Sequence, residues 1–187
     1  MEAIPVNIKN FCYATLIDTE GVITYETPVA IPGLMDVKID MKTEESKLSG
    51  DGKTRVIVTT EGDLTLEATL NSFPMKDRAA LLGRTYDSVK GTLLTKDGDS
   101  AVYVAVGFEI ENEDTTSAYT WLYKGKFLQP SKSFKQKEEG TVTFSNPTLK
   151  GTFIADDDDE KAIVMDESEG STPPESFLAT VYKTVVI

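Results

Sequence analysis

The segment Asp63-Leu64-Thr65-Leu66-Glu67-Ala68-Thr69-Leu70 alternates without interruption, with leucine or alanine at one position and an acid or threonine at the next. Successive side chains of an extended backbone point to opposite faces, so this period of two predicts a half-buried strand. The same pattern recurs on either side of it. Met35, Val37, Ile39 and Met41 are apolar, while Asp36, Lys38 and Asp40 between them are charged. Val102, Val104, Val106, Phe108 and Ile110 line one face of a later segment, and Phe11, Tyr13, Thr15 and Ile17 one face of an earlier one, Asn10 to Ile17. Tyr119, Trp121 and Tyr123 recur every second residue; core packing is the preferred reading of such a strip, with an exposed sugar-binding platform as the rival. The chain is therefore expected to be mainly β, a single domain over residues 1–187 with about ten short strands.

Punctuation between the strands supports that count. Tyr25 to Ile31 contains Pro28 and ends at Pro32-Gly33, which fits an edge or irregular strand. Lys42 to Thr54 (KTEESKLSGDGKT) loses all periodicity and reads as a long, mobile, charged connection. Its alternative is a solvated hairpin tip. Val56 to Val58 opens another strand. Helical signals occur once: Ser72 as a cap, Pro74 in the first turn, an apolar stripe of Met75, Ala79 and Leu82 joined by Leu81, and Gly83 at the C-terminal end. Lys96-Asp97-Gly98-Asp99 predicts a hairpin between Val89 to Thr95 and Ser100 to Ile110. Thr141 to Phe144 and Thr148 to Ala155 form a further pair around Asn146-Pro147. Lys161 to Met165 reads as a short strand, Asp166 to Glu175 as a flexible link, and Ser176 to Ile187 as an apolar segment that docks elsewhere. Residues 156–187 thus form an acidic link followed by a C-terminal segment.

Several function classes lose their chemistry. With no histidine among 187 residues, Ser-His-Asp and Cys-His mechanisms and histidine metal sites are excluded. Cys12 is the single cysteine, so no disulfide forms within the chain, and its apolar surroundings predict a buried thiol. The run Asp156-Asp157-Asp158-Asp159-Glu160 lacks the glycine and distal glutamate of an EF-hand and reads as a solvated acidic turn. Glu109, Glu111 and Glu113 share a strand face and read as solvated carboxylates. No catalytic, cofactor or metal site is expected, and the chain is not expected to be an enzyme. A formal charge of −12 disfavours tight binding of nucleic acid. The longest apolar run, Ala101 to Phe108, is less than half a membrane span, and the N-terminus carries no secretory pattern, so folding in a cytoplasm is expected.

Six segments resemble, in order, the major tail proteins of siphophages infecting Gram-positive bacteria. The first is Ile8-Lys9-Asn10-Phe11-Cys12-Tyr13-Ala14, and the next combines Thr27-Pro28-Val29 with Ile31-Pro32-Gly33. Pro74 to Gly83 (PMKDRAALLG) is similar to that family's helix, with Pro74, Leu81, Leu82 and Gly83 matching. Tyr103-Val104-Ala105-Val106-Gly107-Phe108 matches a family strand at Tyr103, Gly107 and Phe108. Trp121-Leu122-Tyr123-Lys124-Gly125-Lys126-Phe127 and Asn146-Pro147-Thr148-Leu149-Lys150-Gly151-Thr152-Phe153 match at Trp121, Tyr123, Gly125, Phe127, Pro147, Gly151 and Phe153. The matches run from Ile8 to Ala155.

The resemblance implies two packed β-sheets, a tail-tube-type sandwich or partial barrel, flanked by one short helix. It implies stacked hexameric rings forming a tube through which DNA passes without specific binding. Partners would be further copies of the chain, then tape measure, distal tail and tail terminator proteins, in a virion assembled in a host bacterial cytoplasm. No membrane binding is implied. Lys42, Glu44, Glu45, Lys47, Asp51 and Lys53 of the charged connection are expected to reach the neighbouring ring. An acidic β-sandwich binding module on a virion or cell surface, using Tyr119, Trp121 and Tyr123, is the alternative, and the tube of a contractile device a third reading.

Overall fold

Backbone pairing follows the alternation described above and extends well past it. The computed structural model describes residues 3–20, 22–130 and 146–183. Its strands are β1 (Pro5–Thr19), β2 (Val22–Tyr25), β3 (Val29–Ala30), β4 (Leu34–Gly50), β5 (Lys53–Leu70), β6 (Thr85–Asp87), β7 (Thr92–Leu94), β8 (Val104–Asn112), β9 (Ser117–Phe127), β10 (Thr148–Ile154) and β11 (Ala162–Asp166). The helix α1 (Met75–Leu82) lies between β5 and β6, and a 3₁₀ turn covers Glu167–Glu169. Nine strands form one antiparallel sheet in the order β2-β1-β8-β9-β10-β5-β4, with β3 added to β1 and β11 to β9; β6 and β7 form a separate pair. The expected mainly β fold with two sheets and one short helix is thus what the chain adopts, and no barrel closes among the described residues.

The large sheet curls on itself, so strands far apart in its order share one core. Phe11 and Tyr13 of β1 pack with Leu64, Leu66, Ala68 and Leu70 of β5, and with Val106 and Phe108 of β8. Leu122 and Phe127 of β9 and Phe153 of β10 complete this interior. The opposite face carries a second cluster of Cys12, Ala105, Trp121 and Tyr123, covered by Phe177 of the C-terminal segment. Trp121 Nε1 donates to the Phe177 carbonyl at 2.7 Å, and the Tyr123 hydroxyl to the Tyr182 carbonyl at 2.9 Å. The C-terminal segment therefore docks, as its apolar character predicts, over the aromatic strip. This removes the sugar-platform reading, because Trp121 and Tyr123 have no exposed ring face.

Other expectations need correction. The stretch 42–54 is no irregular connection. β4 and β5 pair almost continuously from Leu34↔Leu70 to Gly50↔Lys53, and the chain reverses at Asp51-Gly52, with φ of 54° and 76°. Two positive φ values in a two-residue turn match the right-handed twist of a hairpin. The outer part of this hairpin has solvent on both faces, so nothing imposes alternation on its side chains. Tyr25 to Ile31 splits around Pro28 into β2 and β3. The turn at Asp97-Gly98 joins no hairpin: β7 pairs with β6, and β8 begins only at Val104, between β1 and β9. Asp99 instead folds back locally, its carboxylate accepting from the Lys96 N–H.

Ser72 does not cap α1, whose N-cap is Pro74 without a side-chain hydrogen bond, while Gly83 does end it at φ 61°. Met75 is exposed, whereas Asp77 is buried and accepts from the Tyr13 hydroxyl at 3.1 Å. Ile17 is likewise exposed rather than inward. Asp166 to Glu175 is not wholly a link, since β11 and the 3₁₀ turn occupy its start and Glu167 accepts from the Ser117 N–H. The proposed strand Thr141 to Phe144 lies outside the described residues, as does the end of the C-terminal segment beyond residue 183.

Candidate assembly surface

The outer half of the β4–β5 hairpin projects as a two-stranded arm. β10 pairs with β5 only over residues 64–69, so from Asp63 outward β5 has β4 as its sole partner among the described residues. Among the described residues β4 is the last strand of the sheet, and its outer edge has no partner along its whole length. A bare edge of this kind presents a row of free N–H and C=O groups to another chain.

Cross-strand register assigns the arm's side chains to two faces. Ser46↔Val58 and Leu48↔Val56 share one face, making it apolar near the tip. Lys47↔Ile57 lies on the other, with Arg55 two residues from Ile57; a register shift follows Leu48, so Lys53, opposite Gly50, returns to the first face. That second face is basic around a single isoleucine. Leu48, Val56, Ile57 and Val58 are all exposed, Ile57 at 57%. Within the arm, Lys42 meets Glu44 at 2.7 Å, Lys47 meets Glu45 at 3.2 Å and Arg55 meets Asp51 at 2.9 Å. The Glu44 hydrogen bond raises the Lys42 pKa, and Lys42 lowers that of Glu44. Such exposed pairs contribute little to stability and leave the charges available.

At the base of the arm lies an open groove of about 710 Å³. Ile39 and Met41 of β4, Glu61 and Leu64 of β5, and Ile163 and Val164 of β11 are among its lining residues. The alternation Met35-Val37-Ile39-Met41 predicts a buried face. Only Val37 and Leu34 pack against the core; Met35, Ile39 and Met41 are exposed, Met41 at 42%. Ile39 and Met41 stand opposite the core residues Leu66 and Leu64, at the margin of the sheet. The groove's acids are Glu61, Asp159 and Glu160, and its cation Lys161 donates to the Gly62 carbonyl at 2.9 Å.

No family model matches the chain, and no curated protein matches it significantly. Among solved structures, the fold is similar to that of the anti-feeding prophage cap, the "AFP tube terminating cap". That likeness has a TM-score of 0.47 and 11% identity, covering 89% of this chain and 93% of the other. It is too slight to transfer a function.

The sequence-derived residues fall into two separate groups. Lys42, Glu44, Glu45, Lys47, Asp51 and Lys53 all lie exposed on the arm. The motif residues instead build the body. Gly107, Gly125 and Gly151 each stand directly opposite an aromatic residue, namely Trp121, Phe153 and Phe127. A methyl group on Gly125 would come within 2.3 Å of the Phe153 ring, and Phe153 meets Phe127 edge to face at 5.9 Å. Tyr103 stacks under Lys126 at 4.2 Å, and the Pro147 carbonyl accepts from the Leu70 N–H. Leu81, Leu82 and Phe108 are buried, with Pro74 and Gly83 closing the ends of α1.

The acids expected to be solvated are partly structural. Glu109 is buried, accepting from Asn10 Nδ2 at 2.6 Å and Ser117 Oγ at 2.8 Å, with Lys9 at 3.2 Å. These contacts fasten the bulge in β1 where Asn10 takes a φ of 56°. Asp156 is buried too: its Oδ1 accepts from the Asp158 and Glu160 N–H groups, and Oδ2 lies 2.5 Å from Lys183. Burial favours the neutral acid, but Lys183 and the two N–H groups outweigh it and hold the carboxyl below its usual range. Cys12 donates weakly to the Gly107 carbonyl, and burial pushes its thiol up to about 12. Among the described residues no group of His, Cys, Asp and Glu is arranged to hold a metal, and no helix is long and apolar enough to cross a membrane. Sequence reasoning missed Arg55 and the groove. The consecutive Val56-Ile57-Val58, apolar on both faces of a hairpin, was the available signal.

Proposed function

We propose that this protein is a structural, non-enzymatic subunit of a bacteriophage tail tube, built from stacked rings and serving as a conduit for DNA. The observation that carries this reading is the β4 edge, without a partner from Leu34 to Gly50 among the described residues and continued by an arm with exposed apolar residues. An edge this long is an aggregation hazard unless sister copies complete it, and ring closure is the ordered way to do so. Six ordered sequence resemblances to tail-tube proteins of siphophages favour hexameric rings and a place in the virion, beside tape measure, distal tail and tail terminator proteins.

The net charge of −12 suits a wall that DNA must leave. A basic lumen would hold phosphates, while an acidic or neutral one would not. Screening limits the field to about 8 Å at physiological salt, so such a wall prevents adhesion without driving transport.

Sedimentation of concentrated protein tests the reading, comparing the intact chain with a deletion of Lys47 to Thr54. The intact chain is expected to polymerise, and the deletion to remain a folded monomer. Polymers formed equally well by the deletion would overturn the arm's role.

A further inference from the structure

We propose that residues 172–183 form a detachable strap, closed over the aromatic face of β9 and latched by Lys183, which lifts as a unit while the sheet beneath stays folded. The proposal concerns a single copy of the chain and does not rest on the tail-tube reading.

The manner of attachment carries the inference. Among the described residues the strap's backbone pairs only within itself: the Phe177 N–H donates to the Pro174 carbonyl, and the Ala179 and Thr180 N–H groups donate to that of Ser176. Side chains hold it to the body at two places. At the first, Phe177 is buried, with its ring 5.6 Å from that of Tyr119 and its carbonyl accepting from Trp121 Nε1. At the second, the Tyr182 carbonyl accepts from the Tyr123 hydroxyl. There Lys183 Nζ lies 2.5 Å from Asp156, 2.6 Å from Asp158 and 5.5 Å from the centre of the Tyr123 ring. Phe177 also stacks on Tyr182 at 5.0 Å, which couples the two places within the strap.

The approach to the strap is built to turn. Gly170 takes a φ of 82°, and residues 169–176 are exposed apart from the half-buried Pro173. Pro173 and Pro174 offer no N–H to the body.

Lifting the strap therefore breaks side-chain contacts alone, whereas parting β8 from β9 breaks a ladder running from Val104↔Gly125 to Glu111↔Ser117. Segments with few buried apolar groups and little backbone pairing open at lower free energy than a core, and the freed chain regains entropy. Lys183 sets the balance. Asp156 is fixed in the body by the Asp158 and Glu160 N–H groups, so without Lys183 the closed state keeps a buried carboxylate lacking its cation. Opening uncovers the cluster of Cys12, Trp121 and Tyr123. The strap is thus a self-cover that keeps an aromatic face out of reach until it lifts.

Cys12 reports the motion, being the chain's single thiol and buried in that cluster. The test follows its reaction with a chromogenic disulfide reagent at low urea concentrations, in the intact chain, in Lys183→Met and in Leu66→Val, which weakens the other core. Opening of the strap exposes little surface, so the rate for the intact chain is expected to depend far less on urea than global unfolding does. Lys183→Met is expected to react several-fold faster in native buffer, and Leu66→Val at the intact chain's rate. Labelling of the intact chain with the full urea dependence of global unfolding would overturn the strap. A Lys183→Met rate equal to that of the intact chain would overturn the latch.

Discussion

Asp156 ties the C-terminal segment to the body through Lys183, and its protonation has a definite direction. Its folded pKa is depressed, so its contribution is complete above the unfolded value of about 4 and disappears as pH falls through the folded value. Asp156→Asn is expected to cost roughly 2–3 kcal/mol at pH 7, because a buried bridge loses its charge. Urea denaturation should show the gap from the intact chain narrowing below about pH 4; a gap independent of pH would contradict this role. Acid-rich composition alone could not single out this residue from its neighbours. Asp157, Asp158 and Asp159 are exposed; Lys183 meets Asp158 as well, and it is the local turn, with the Asp158 and Glu160 N–H groups on Asp156 Oδ1, that distinguishes the one that is buried. The glycines were more legible. Gly107, Gly125 and Gly151 lie in strongly alternating strands, where a missing side chain signals close approach, although the aromatic partner of each required the register.

At the scale of elements, alternation located the central strands because each has one face in a core. β5 from Leu64 to Leu70, β8 and β9 are such cases. It failed for the arm, where both faces are wet and cross-strand hydrogen bonding alone maintains the structure. It failed again at Asp97-Gly98, where a good turn sequence joins strands that find partners elsewhere. The C-terminal segment is the complementary case: its apolar residues predicted docking but not the site. Phe177 supplies the cover over Trp121, the chain's single tryptophan. Phe177→Ala is expected to destabilise the protein by about 3 kcal/mol. It should also red-shift the native tryptophan emission, since Trp121 would meet water. Unchanged emission would show that the segment does not shield it.

For the whole molecule, the main lesson lies in what folding leaves undone. β4 has the alternation of a half-buried strand from Met35 to Met41, yet three of its four apolar residues there remain exposed. On the proposed assembly, another copy would supply the missing cover. The edge, the amphipathic arm and the acidic groove all lie on the same hairpin or at its base. The motif residues meanwhile make a rigid body to carry them.

The claim that sister molecules complete this edge is tested most directly by electron cryomicroscopy of the polymer formed at high protein concentration. The expected map is a hollow filament of constant width, with residues 34–50 hydrogen-bonded or packed against a neighbouring copy. A protein that stays monomeric at every concentration, or a polymer in which that strand still faces solvent, would contradict the account.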